Sequence, residues 1–170
     1  MIGAELERQL EALHPRSFGW ALACCRRDED EAAEVLQVTY LKVIEGRARY
    51  DGRASLKTWL FAVIRRTAAE RRRRAWLRRL LLGRRPDEVE PAAPPSSEQQ
   101  AADGERRRAV LTALAELPTR QREVLDLVFY HDLTIEEAAR VMGVALGTAR
   151  LHYARGKERL LARVAPEGTP

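Results

Sequence analysis

Apolar residues recur at steps of three and four along most of the chain, and nowhere do they alternate as a half-buried strand requires. Leu36, Tyr40, Val43 and Ile44 form one such stripe, so the pattern predicts an all-α protein. A first helix is expected to run through Phe18, Leu22 and Cys25 after Pro15. A second is expected to start near Asp28, where Asp28, Glu29, Asp30 and Glu31 face the positive end of the helix dipole. Gly46 to Arg53 breaks the pattern. Ser55 is then the expected N-cap of a third helix that turns Trp59, Val63, Ile64 and Thr67 inward and Arg65, Arg66 and Arg71 to Arg74 outward.

The periodicity lapses between Pro86 and Asp103, where Pro86, Pro91, Pro94 and Pro95 stand among Ala, Ser and Gln with no apolar face to build a core. Beyond it Val110, Leu111 and Leu114 restart the stripe, and Pro118 stands at the first position of a helix carrying Val124, Leu125, Val128 and Phe129. Thr134 and Glu137 have capping-box spacing ahead of Ala138, Ala139 and Met142, Gly143 supplies a turn, and a long helix follows from about Leu146 to Val164. Helix, turn and helix make a helix-turn-helix pattern. The expected organisation is therefore a three- to four-helix domain over 5–82, a flexible acidic linker over 83–104 and a four-helix domain over 105–165.

Charge sharpens this division. The chain carries a net +5, and its signs are segregated. Lys57 to Arg85 holds eleven Lys or Arg against the single acid Glu70, whereas Pro86 to Glu105 holds six acids and no base. A basic tract permits nucleic-acid binding without establishing it, since charge runs are commonly solvated surface. No apolar run approaches the length of a membrane span and the N-terminus lacks a signal peptide's apolar centre, which predicts a cytoplasmic protein.

The candidate chemistry is recognition rather than catalysis. His14, His131 and His152 are scattered, and neither a phosphate loop nor a zinc-protease or serine-hydrolase motif occurs, so no enzyme is expected and no cofactor or metal. Cys24 and Cys25 are adjacent within an apolar helical pattern and lack the paired spacing of a zinc site, so they read as core. In the long last helix Ala149, Tyr153, Gly156 and Leu160 form an inward row. Thr148, Arg150, Leu151, Ala154 and Arg155 are left outward, placed to meet base edges or phosphates in a major groove. An ordinary helical hairpin with solvated arginines fits the same pattern. In the first domain Tyr50, Trp59, Phe61 and Trp76 lie close to the arginine tract, the combination on which single-stranded DNA stacks and lays its phosphates. Trp59 and Phe61 also suit the core, which leaves Tyr50 as the better base contact.

The ordered series Asp30 to Val43, YDGRASLKTWL from Tyr50 to Leu60, LPTRQREVL from Leu117 to Leu125, and Thr134 to Arg150 resembles the extracytoplasmic-function (ECF) sigma factors of the sigma-70 family. The likeness spans most of the chain outside the linker and the ends. It implies a factor that binds RNA polymerase core and directs promoter-specific transcription initiation. Glu34, Gln37 and Lys42 would meet the clamp helices of the largest subunit, and the second domain would rest on the flap of the other large subunit. The minus-ten element would be read as single strand by Tyr50, Arg53, Ser55 and Lys57 in the loop and by Arg65, Arg66, Thr67, Glu70 and Arg71 along the third helix. Duplex DNA at the minus-thirty-five element would meet Thr148, Arg150, Leu151, Ala154 and Arg155. An anti-sigma factor is a further implied partner.

Four departures from the family pattern bear on promoter choice: Arg66 where many members carry Asn, Val38 for an acid, Ala145 for a capping residue and Leu151 for a small polar one. The acidic linker also suggests an autoinhibitory strap across the two basic domains. The alternative function is a helix-turn-helix regulator that binds duplex operators without polymerase. A protein-interaction adaptor is a weaker alternative.

Overall fold

The computed structural model describes residues 3–83 and 103–165, and all regular structure among them is helical. These residues fall into two compact units, one within 3–83 and the other mainly over 103–165. The acidic linker, with its proposed strap, falls almost wholly outside the described residues.

In the first unit α1 (Ala4–Cys24), α2 (Glu29–Ile44) and α3 (Leu56–Leu81) pack pairwise against one another. Trp20 lies fully buried at the centre, its indole N–H donating to the Phe61 carbonyl at 3.0 Å while the two rings stack at 5.8 Å. Ala21, Val35, Leu36, Leu60 and Ile64 are buried in the same unit. Asp28 caps α2 by accepting from the Glu31 amide, and Ser55 caps α3 by accepting from Thr58, each relieving one of the orphan donors at a helix start. The turn between α1 and α2 places Arg26 and Arg27 in left-handed conformation, a local strain of order 1 kcal/mol per residue that the capped start of α2 offsets.

Two expectations are corrected here. Pro15 does not precede the first helix but lies inside it. Its ring removes one amide donor, yet Glu11 and Pro15 are both exposed, so water can serve the freed carbonyl, and burial of Leu10 upstream holds the first turns in place. Ile44, expected inward with Leu36 and Val43, is 50 % exposed and shares the outer side of α2 with Leu41.

The second unit comprises α4 (Asp103–Ala115), α5 (Thr119–Leu125), a π-helical turn (Asp126–Tyr130), α6 (Ile135–Met142) and α7 (Leu146–Val164). Pro118 stands one position earlier than expected, as the N-cap of α5. The π turn inserts one residue's worth of rotation, which leaves Leu127 fully buried and Phe129 61 % exposed. His131, at the end of that turn, is buried with Nε2 3.3 Å from Asp126 Oδ2. Thr134 and Glu137 exchange reciprocal bonds, Thr134 N–H to the carboxylate at 2.8 Å and Glu137 N–H to the hydroxyl at 3.1 Å, which starts α6 where the capping box predicts. Gly143 at φ +66° ends it, a conformation that costs a residue without a side chain little.

Candidate nucleic-acid and polymerase interfaces

The α6–turn–α7 geometry fixes which side of α7 is free. Ala149 is fully buried and Gly156 is buried against α5, while Thr148, Arg150, Leu151, Ala154 and Arg155 are all exposed. A Cβ on Gly156 would meet Leu125 Cδ1 at 3.1 Å, Gln121 Cβ at 3.2 Å and the Gln121 carbonyl at 3.3 Å, so glycine lets α7 approach α5 closely enough to turn the opposite side outward. Tyr153 and Leu160 of the expected inward row are half-buried, and Tyr153 stacks on Phe129 at 5.9 Å. The exposed Lys157, its ammonium 5.3 Å from the Tyr153 ring centroid, lies two turns beyond Arg150 on the same side. Sequence reasoning passed over it, although the spacing of seven from Arg150 marks it.

Between α2 and α3 the loop through Gly52, at φ +75°, carries the first candidate group. Tyr50 is 38 % exposed, its hydroxyl donates to the Ala54 carbonyl at 2.7 Å, and its ring leans on Trp59 at 5.4 Å. One face of an aromatic ring is thereby held at the surface. Arg53 is exposed and its amide is bonded to the Asp51 carboxylate at 3.1 Å, which stiffens the loop. Ser55 is spent on capping α3, and Lys57 holds its ammonium 6.0 Å from the centroid of the Phe61 ring.

The helical part of this group divides. Arg65 is half-buried and Arg66 and Glu70 are exposed, but Thr67 is 1 % exposed and receives a bond from Lys42 at 3.1 Å. Arg71 points across to α2, donating to Glu31 at 2.8 Å and also to Glu34, and the Glu31 bond holds its guanidinium still more firmly charged. Two of the residues assigned to polymerase, Glu34 and Lys42, are thus bonded to residues assigned to DNA. Only Gln37 of that trio stands exposed without such a link to α3, with Leu41 and Ile44 following it at four and seven residues. Ile44 was hidden by its apparent fit to the inward stripe, and Leu41 was not singled out. Arg72, also passed over, donates to the Cys24 carbonyl at 3.0 Å and so closes the end of α1. Cys25 is half-buried beside it, and burial, reinforced by Glu31, pushes its thiol up to about 11.

Two capped helical units, one with an aromatic loop beside an arginine helix and one with a helix-turn-helix, define a promoter-recognition factor of the sigma-70 class. Residues 10–78 match the family description Sigma-70 region 2, and residues 107–160 match Sigma-70, region 4. The chain is 32 % identical over 148 residues to the probable RNA polymerase sigma-C factor of Mycobacterium bovis and, to the same extent, to the ECF RNA polymerase sigma factor SigC of Mycobacterium tuberculosis. Each alignment covers 87 % of this chain and 78 % of the relative. In fold it is similar to the sigma factor RpoE solved with the anti-sigma factor NepR from Bartonella quintana, at TM-score 0.74 and 22 % identity, covering 98 % of this chain and all of that one. It is also similar to CnrH solved with the cytosolic domain of CnrY, at TM-score 0.62 and 21 % identity, covering 94 % and 88 %. The chain belongs to the ECF group of sigma factors, which direct RNA polymerase in transcription initiation.

Proposed function

We propose that this factor reads promoters with two separate surfaces: α7 enters the major groove of the upstream element, while the Tyr50 loop and α3 hold the unpaired strand of the downstream one. The observation that carries this reading is the single outward row of α7, in which Arg150 and Arg155 are exposed on the side opposite the buried Ala149 and Gly156. Thr148, Leu151 and Ala154 complete a face narrow enough for a groove. On the first unit, the Tyr50 ring braced by Trp59 offers a platform to one base, with Arg53, Lys57, Arg65 and Arg66 beside it for phosphates. Glu70 and Arg71, locked to α2, position that helix rather than reach for DNA.

The outer side of α2, with Gln37, Leu41 and Ile44, is the surface offered to core polymerase, and the buried Thr67 belongs to the framework behind it. The factor works by binding rather than by chemistry, in the cytoplasm, and an anti-sigma partner of the kind solved with RpoE keeps it in check. Separating base pairs costs on the order of 1.4 kcal/mol per stacked step, and each captured base returns roughly 1–3 kcal/mol, so opening a few positions needs no nucleotide hydrolysis.

Run-off transcription with purified core polymerase tests this. A start-site-specific transcript that depends on the chain is expected, and Tyr50→Ala should impair strand opening while leaving duplex binding through α7 intact. Specific duplex binding with neither core binding nor transcript would make the chain a conventional operator-binding regulator.

A further inference from the structure

The distal half of α3 is amphipathic in the opposite sense to its proximal half. Up to Ala68 the helix buries the side that carries Leu60, Phe61, Ile64 and Ala68. At about 100° per residue, Trp76, Leu77, Leu80 and Leu81 fall within an arc of roughly 140° centred nearly opposite Ile64. These side chains are 50 %, 42 %, 48 % and 86 % exposed. The side that continues the buried one is instead taken by Arg71, Arg72, Arg74, Arg78 and Arg79. No residue of α3 beyond Ala68 is buried, and past its last links to the other helices, Arg71 to α2 and Arg72 to the Cys24 carbonyl, the helix runs on from Arg73 to Leu81 for about 14 Å at about 1.5 Å per residue.

We propose that this distal segment, Arg73 to Leu82, is a docking surface for an anionic lipid membrane, on which the helix lies parallel to the surface. Charge and shape both select that occupant. The segment holds four arginines and no acid: Arg74 and Arg78 border its apolar stripe on one side and Arg79 on the other, while Arg73 stands within the arc at its start, one turn before Leu77. Trp76, at the edge of the stripe, suits the headgroup boundary, where the ring is covered and its N–H stays wet. A nucleic acid would engage the arginines and leave four large apolar side chains in water. A lipid surface takes both sides of the helix at once: acyl chains receive the stripe and anionic headgroups the guanidinium groups that snorkel around it. Among the described residues no helix is long and apolar enough to cross a membrane, so the mode is adsorption. Factor held in this way has the apolar stripe of α3 turned to lipid, and release returns it to solution.

Co-sedimentation of the full chain with vesicles of phosphatidylglycerol and phosphatidylcholine, against phosphatidylcholine alone, tests the surface. Binding is expected only with the anionic lipid, and replacing Arg74, Arg78 and Arg79 by Gln should weaken it roughly fivefold per residue. Leu77→Gln with Leu80→Gln should abolish it while helicity by circular dichroism is retained. Tryptophan emission should shift to the blue on binding, and in a Trp59→Phe background Trp76→Phe should remove the shift, since the remaining Trp20 is buried already. No binding to the anionic vesicles overturns the proposal. So does binding that the double leucine variant leaves undiminished, which would mean charge attraction alone. A leucine variant that loses core polymerase, in a wild type that ignores vesicles, would mean that a protein groove covers the stripe, and also overturns it.

Discussion

Lys42 Nζ lies 2.6 Å from a carboxylate oxygen of Glu70, so the end of α2 is tied to the middle of α3 across the two helices assigned to polymerase and to DNA. The ammonium also donates to the buried Thr67 hydroxyl, and one turn further Arg71 repeats the link with Glu31 and Glu34. The pairs set the rotation of α3, and with it the direction of Arg66, against the α2 surface.

Removing the Lys42 charge should therefore loosen the first unit modestly. Lys42→Met keeps the aliphatic stem but deprives Thr67 and Glu70 of their donor. A partly exposed pair is worth up to about 1 kcal/mol, and an abandoned buried hydroxyl a similar amount. Urea denaturation should show a loss of about 1 kcal/mol. A double-mutant cycle with Glu70→Gln should return a coupling of about 0.2–1 kcal/mol. A coupling of zero would mean the two side chains do not meet in solution.

Ala145 occupies the N-cap of α7 at φ −65° and ψ 151°, a geometry suited to a capping side chain, yet it has none to offer. Ala145→Ser should supply a hydroxyl to the open amides of the first turn and stabilise the second unit by about 1 kcal/mol. For a unit of this size that corresponds to a rise of about 4–8 °C in its melting midpoint. An unchanged midpoint would show that those amides are already satisfied.

Gly156→Ala sets two effects of opposite sign against each other. Helix propensity favours alanine by about 1 kcal/mol, but the new methyl would stand 3.1 to 3.3 Å from Leu125 and from the α5 backbone at Gln121. Leu125 is 1 % exposed and a helical carbonyl does not yield, so overpacking at about 1–3 kcal/mol should win. The expected net loss is about 1 kcal/mol by thermal melting, with weaker upstream-element binding as α7 is pushed off α5. A stabilised variant would mean that the α5–α7 approach is looser than these distances.

Cap and turn signals carried most of the fold into the sequence. Asp28, Ser55, the Thr134–Glu137 box and Gly143 each end or begin a helix through their own local chemistry, and the outward row of α7 followed from that register. What stayed illegible depended on distant partners. Pro15 within α1 depends on the packing of Leu10, and the exchange of Leu127 for Phe129 depends on a π turn that a 3.6-residue period does not contain. Residue type gave Lys42, Glu34 and Arg71 as surface contacts, but only tertiary structure shows them bonded to one another. Thr67 fitted both an inward and a DNA-facing expectation, and packing buried it.

The Cys25 thiol should titrate late. Burial is the main cause and Glu31 the next, and together they raise it from 9.0 to about 11. Because the raised value belongs to an acid that is neutral when protonated, its contribution to stability is complete below about pH 9 and is lost as pH climbs from there to about 11. In a Cys24→Ser background, alkylation of Cys25 by iodoacetamide should still be accelerating at pH 10. A plateau reached near pH 9 would show a thiol in ordinary contact with water.

Arg150 and Arg155 should separate by role when each is replaced by alanine. An arginine that forks onto a guanine edge loses about 1–3 kcal/mol at one base position and relaxes specificity there. An arginine on phosphate weakens all sequences alike and lowers the salt slope of binding by about one ion. Arg150 lies in the second turn of α7, and Arg155 is a turn and a half further along. Because the N-terminal residues of a recognition helix reach deepest, Arg150→Ala is expected to relax one position of the upstream element, and Arg155→Ala to flatten the salt dependence. Binding assays on single-base variants of that element, repeated over a salt series, distinguish the two. Equal loss on every sequence for both variants would mean that α7 lies along the backbone instead of entering the groove.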